Sequence, residues 1–123
     1  MILVDSSIWI DHLRARDGRL ARFLEARQVL SHPFVIGELA LGYLPRRDVF
    51  LSELRDLTQA AVASDDEVLD LINRVPLFGR GIGYVDAHLL AAVRLTPDTT
   101  LWTAETRLRA VAAELGLAAM LPQ

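Results

Sequence analysis

Four carboxylates occupy places that a solvated surface does not explain. Asp5 directly follows Ile2-Leu3-Val4, the most apolar short run of the chain. Glu38 is the only charge in Phe34-Val35-Ile36-Gly37-Glu38-Leu39-Ala40-Leu41. Asp86 lies in Tyr84-Val85-Asp86-Ala87-His88-Leu89, just after a glycine-rich stretch, and Glu105 follows Leu101-Trp102-Thr103-Ala104. Each also has a structural reading. Asp5 can cap a helix, although Ser6 and Ser7 can already do so. Asp86 and Glu105 can be first-turn acids favoured by the helix dipole. Glu38 faces either solvent or a shared polar pocket. The other acids have plainer roles: Asp65, Asp66 and Glu67 open a helix behind Ser64, while Asp48, Glu53, Asp56, Asp70 and Glu114 sit on polar helix faces.

If the four acids meet, they cannot all stay ionised without a cation. Hard oxygen ligands in a chain without cysteine suit Mg²⁺ or Mn²⁺ rather than zinc. His12, His32 and His88 show no HxxxH or HxH spacing and read as ordinary surface or helix histidines. A carboxylate-held cation lowers the pKa of bound water and clamps a phosphoryl oxygen, so the chemistry implied is phosphodiester hydrolysis.

The elements that must position these acids alternate between short strands and longer helices. Ile2-Leu3-Val4 reads as a buried parallel strand and Val29-Leu30-Ser31 as a second. Ala61-Val62-Ala63 is a weak strand, and Thr100-Leu101-Trp102-Thr103 a further one. Leu117 to Leu121 can add an edge strand. Helices are expected from Ser6 or Ser7, around Leu20 to Leu24, from Pro33 to Tyr43, over about 47–57, from Ser64 to Val75, over 84–95 and over 104–115. The pattern predicts an α/β fold with a mostly parallel sheet, in which the functional crevice lies beyond the carboxyl ends of the strands.

Length and composition close off other classes. The 123 residues fit a single domain over 1–123. With 52% hydrophobic and 24% charged residues the chain is neither disordered nor fibrous. All 13 basic residues are arginine, which removes the phosphate-loop lysine and Schiff-base chemistry. A net charge of -3 argues against a general nucleic-acid surface but leaves room for a local arginine groove. Asp5 interrupts the N-terminal apolar run at once, so neither a signal peptide nor a membrane span fits, and a cytoplasmic protein is expected.

The ordered set Ile2-Leu3-Val4-Asp5-Ser6-Ser7, Val35-Ile36-Gly37-Glu38-Leu39, Gly81-Ile82-Gly83-Tyr84-Val85-Asp86-Ala87-His88 and Leu101-Trp102-Thr103-Ala104-Glu105-Thr106-Arg107-Leu108 resembles the PIN domain, and within it the VapC toxins of bacterial toxin–antitoxin modules. The resemblance implies a PIN-like fold, a small parallel sheet flanked by helices. It implies a Mg²⁺-dependent endoribonuclease whose catalytic and metal-binding quartet falls on Asp5, Glu38, Asp86 and Glu105, with Ser7 and Thr103 as polar helpers. The fourth position is usually Asp in this family and is Glu here, and the extra methylene changes its reach. The resemblance further implies a homodimer and a VapB-type antitoxin that inserts a segment into the active-site groove, with operator DNA bound only through that antitoxin. The apolar stretches Ile8-Trp9-Ile10 and Phe34-Val35-Ile36 could supply the groove or simply pack the core. Arg14, Arg46, Arg47, Arg80 and Arg107 are candidates for phosphate contacts with RNA.

Two rivals remain. A receiver-like signalling domain also carries strand-end acids and Mg²⁺, but it needs an early acid pair and a late lysine; this chain has one acid after its first strand and no lysine. A degenerate PIN domain that only binds a partner is argued against by the intact acids and kept open by Glu105.

Overall fold

The computed structural model describes residues 1–122. Its elements are β1 (Ile2–Val4), α1 (Ser6–Arg14), α2 (Gly18–Glu25), β2 (Val29–Ser31), α3 (Pro33–Ala40), α4 (Arg47–Asp56), β3 (Thr58–Gln59), α5 (Asp65–Arg74), α6 (Tyr84–Leu95), β4 (Thr100–Trp102) and α7 (Thr106–Glu114). The four strands form one all-parallel sheet in the order β3-β2-β1-β4. Every side chain of β1 is buried, as expected of a central strand covered by helices on both faces.

This order sets the site. The chain builds β1, β2 and β3 outward in one direction, and β4 then returns to the other side of β1. The switch point therefore lies between β1 and β4, where open parallel sheets hold their ligands. Their register pairs Ile2 with Thr100, Leu3 with Leu101 and Val4 with Trp102. One step beyond the last pair, Asp5 and Thr103 leave the sheet side by side. The Asp5 amide still donates to the Trp102 carbonyl at 2.9 Å.

Several sequence expectations change in detail. β3 is Thr58–Gln59, not Ala61-Val62-Ala63. The two exposed residues pair with Leu30 and Ser31, whereas Ala60 and Ala63 turn inward to the core. The Ala61 amide is taken instead by the Thr96 hydroxyl at 2.9 Å. The 117–121 segment makes a single parallel bridge, Leu101 to Ala118, rather than a strand. Ser6 and Ser7 lie inside α1, and Asp5 itself is the N-cap, accepting from the Ser6 amide at 2.8 Å. The Ser64 start is present as a reciprocal cap: its hydroxyl accepts from the Glu67 amide while the Glu67 carboxylate accepts from the Ser64 amide.

His32 and His88 are also not surface residues; both are buried. His32 caps α3, its Nδ1 accepting from the Phe34 amide at 3.0 Å, ahead of Pro33 in the first turn. Its ring meets Phe34 edge-on, and Phe34 in turn packs against His88 with ring centroids 4.5 Å apart. Burial, with a smaller contribution from His88, holds the His32 pKa down to about 4.

The unfolded chain therefore takes up a proton near pH 6.5 that the folded chain refuses until about pH 4. This contribution to stability is complete above pH 6.5 and declines as pH falls toward 4. Urea unfolding at pH 7 and pH 5 should show wild type losing roughly 1–2 kcal/mol more than His32→Asn over that interval, since asparagine caps without titrating. Equal losses would mean that His32 is protonated in the fold.

Candidate active site

Asp5 is 4% exposed, so its carboxylate must find its hydrogen bonds inside the protein. Oδ1 accepts the Ser6 amide at 2.8 Å. Oδ2 accepts the Thr103 hydroxyl at 2.7 Å and the Ser7 hydroxyl at 3.0 Å. The two hydroxyls are used alike. Thr103 Oγ1 donates to Asp5 and accepts from the Glu105 amide at 3.0 Å, while Ser7 Oγ donates to Asp5 and accepts from the Ala104 amide at 3.0 Å. Each hydroxyl spends its single proton on the carboxylate and its lone pair on the turn that leads into α7. Asp5 is thus tied to Glu105 through one intervening side chain.

Ser6 supplies the link to the third acid, and the sequence reading had treated it only as a cap. Its hydroxyl sits 3.3 Å from Glu38 Oε1 and 3.4 Å from Asp5 Oδ1, between the two carboxylates. The signal was the Asp5-Ser6-Ser7 run itself, since two successive hydroxyls at a helix start point to different sides. Asp86 is placed by the other end of the loop before α6. Its Oδ2 accepts the Gly83 amide at 2.9 Å, so it does serve as the first-turn acid of that helix.

Two of the four acids are shifted by their surroundings. Partial burial pushes the Glu38 carboxyl above the usual carboxylate range, and the charges of Asp5, Asp86 and Glu105 push it further, against the pull of the Ser6 hydroxyl. Asp86 is raised by burial and by Asp5, and the Gly83 amide opposes the shift. Among the described residues, no three His, Asp or Glu side chains are gathered closely enough to enclose one ion as they stand. Glu38 thus feels the other three acids and Asp86 feels Asp5, without the four closing on a point. Hard carboxylate oxygens in this arrangement suit a hard divalent cation, whose charge would relieve the repulsion.

The arginines separate by environment. Arg80 Nη2 lies 2.9 Å from both carboxylate oxygens of Glu114. Arg47 donates to the Ala40 carbonyl at 2.9 Å and closes the α3–α4 turn, and Arg46 is the left-handed residue before α4. Arg14 lines a groove of about 290 Å³ with Ile10, Leu13, Glu38, Tyr43 and Leu44. Arg107 lines a separate depression of about 330 Å³ with Asp86 and Glu105.

The sheet places Asp5 beyond the carboxyl end of β1 and Glu105 beyond that of β4. The PIN domain model matches residues 2–114, and the chain belongs to the PIN domain family. It is also similar to Ribonuclease VapC32 of Mycobacterium tuberculosis, at 52% identity over 118 residues in strain H37Rv and equally in strain CDC 1551. Those matches cover 96% of this chain and 95% of each relative.

Removing the Thr103 hydroxyl tests the hub. Thr103→Val strips Asp5 of its shortest hydrogen bond and orphans the Glu105 amide. It should cost about 1–3 kcal/mol in chemical unfolding. Thr103→Ser should retain most of that stability. A valine variant as stable as wild type would show that the Asp5 carboxylate does not depend on this donor.

Proposed function

We propose that this protein is a Mg²⁺- or Mn²⁺-dependent endoribonuclease and the toxin of a VapBC-type toxin–antitoxin module. The observation that carries the reading is the fully hydrogen-bonded, buried Asp5, with Glu38 reached through the Ser6 hydroxyl and both Glu38 and Asp86 raised by burial and by the Asp5 charge. Asp5, Glu38 and Asp86 would hold the cation, with Glu105 reaching it directly or through water. The bound cation supplies a water of lowered pKa and charge compensation on a phosphoryl oxygen. The chain's own residues do the rest. Ser7 and Thr103 hold Asp5 in one orientation and leave none of its freedom to be lost on binding. Ser6 keeps Glu38 turned toward Asp5, and the Gly83 amide sets Asp86.

The partner reading is supported by the groove beside Glu38. Ile8, Trp9 and Val35 belong to the core, so the apolar surface comes from Ile10 and Leu13 of α1 and from Leu39, Tyr43, Leu44 and Pro45 at the end of α3. Leu41 and Tyr43 stand fully open beside it, an apolar exposure characteristic of interaction surfaces. A VapB-type segment lying there would reach Glu38 directly. Co-expression with the adjacent short gene should relieve growth arrest caused by this chain alone; unaffected growth of cells making soluble, RNA-cleaving protein would remove the toxin role and leave the nuclease role.

The nuclease reading requires RNA cleavage with Mg²⁺ or Mn²⁺, its arrest by EDTA, and its abolition by Asp5→Ala or Asp86→Ala. Thermal melts test the cation separately. Glu38→Gln removes a repelled charge and should melt above wild type in EDTA, a gain of ~0.5–2 kcal/mol, while losing cleavage. Millimolar Mg²⁺ should raise wild type by mass action and raise Glu38→Gln less. Equal responses would place Glu38 outside the cation site.

Glu105→Asp restores the usual family residue. It should keep or raise cleavage if Glu105 acts through water, whereas a loss as deep as that of Asp5→Ala would show that the longer reach is required.

A further inference from the structure

We infer that Arg107 is the residue that positions the RNA strand in this site, by gripping a backbone phosphate beside the acids. This deepens the nuclease reading and rests on it. Three observations lead to Arg107 rather than to the other arginines.

The first is its place. Arg107 shares its depression with Asp86 and Glu105, two of the four acids, together with Gly81, Ile82, Thr106 and Leu108. A phosphate drawn to that depression meets the guanidinium and the acid cluster at once.

The second is its berth. The Arg107 side chain lies over Gly81, where an added Cβ would fall 2.5 Å from Nη1, 2.8 Å from Cδ and 3.0 Å from Cζ. Gly81 has φ +78°, a conformation glycine adopts without strain, and its missing side chain is the space the arginine fills. The guanidinium is thereby laid along the loop that leads to Asp86. The loop itself is fastened to the far end of α7 by the pair between Arg80 and Glu114. Arg80 is therefore committed to holding the loop and Arg107 is not.

The third is its cost. Arg107 is in the first turn of α7, where the helix dipole disfavours a cation. Among the described residues, no carboxylate lies within 4 Å of its guanidinium to offset this. An unpaired cation at the wrong end of a helix, beside a cluster of acids in a chain of net charge -3, is arranged for an incoming anion. Arginine can meet the phosphate with a two-pronged hydrogen bond that lysine cannot reproduce.

The test is steady-state cleavage of a single-stranded RNA with Mn²⁺, across a series of salt concentrations, for wild type, Arg107→Ala, Arg107→Lys, Arg94→Ala and Asp5→Asn. Arg107→Ala should lower kcat/KM about tenfold, chiefly through KM. It should also flatten the dependence of log kcat/KM on log salt by about 0.7, the loss of one phosphate contact to a single strand. Arg107→Lys should restore the salt slope but only part of the rate. Arg94→Ala removes the same charge at the far end of α6 and should change neither. A wild-type salt slope in Arg107→Ala overturns the inference even if kcat falls, because a merely structural arginine would act that way. An equal loss in Arg94→Ala overturns it too, in favour of net charge. A wild type as inactive as Asp5→Asn is a different failure, that of the nuclease reading, and takes this inference with it.

Discussion

A buried carboxylate must find its hydrogen bonds within the protein, and Asp5 is where this chain meets that requirement. Its position follows from β1 being central and wholly apolar; the strand can end only where its backbone leaves the sheet, and the next side chain is then enclosed on all sides. The donors that satisfy it come from both sides of the switch point: Ser6 and Ser7 from the helix that continues β1, and Thr103 from the end of β4. Because β1 and β4 pair in register, Thr103 needs no special loop to reach Asp5. The same hydroxyls then fix the turn into α7, so the geometry of Glu105 is inherited from the solvation of Asp5. One carboxylate thus does two structural jobs: Oδ1 caps α1 and Oδ2 gathers the Ser7 and Thr103 hydroxyls.

Much of this was legible in the residues. Short apolar runs ended by a polar residue marked β1, β2 and β4, and the acids after β1 and β4 drew attention to that end of the sheet. The reason is physical: a parallel strand covered on both faces has little choice but to be apolar, and its end is abrupt. β3 was misread for the converse reason. At the sheet edge, Thr58 and Gln59 need only backbone pairing with Leu30 and Ser31, so they carry no apolar signal, while the alanines that follow carry one because they fill the core beneath α6. The burial of His32 and His88 was not legible because burial of a polar ring is decided by its partners in space. His32 is tolerated inside because it replaces a serine or aspartate as a helix cap and packs on Phe34, and neither fact is visible in spacing.

The site itself was legible as a set of residue types but not as a network. Sequence could single out Asp5, Glu38, Asp86 and Glu105 as acids that would need a cation if they met. It could not say that Ser6 sits between two of them, or that Gly81 makes room for a side chain two residues beyond the fourth. Both are contacts between segments far apart in the chain, and they depend on how α3 and α7 pack. The arginines show the same limit. With no lysine, every surface cation has the same chemistry, and only the structure distinguishes those tied to a partner, such as Arg19 on Asp17 and Arg74 on Asp70, from those left open.

The distribution of electrostatic cost within the quartet carries the last step. Asp5, the most buried acid, is the best solvated by donors, while Glu38 and Asp86, nearer the mouth, have their carboxyls raised by burial and by their neighbours. Repulsion is thus kept away from the point where it would damage the sheet and placed nearer the surface. The fold tolerates these acids because the innermost, Asp5, is also the most thoroughly hydrogen-bonded, and the carboxyls raised by burial and by their neighbours lie nearer the surface.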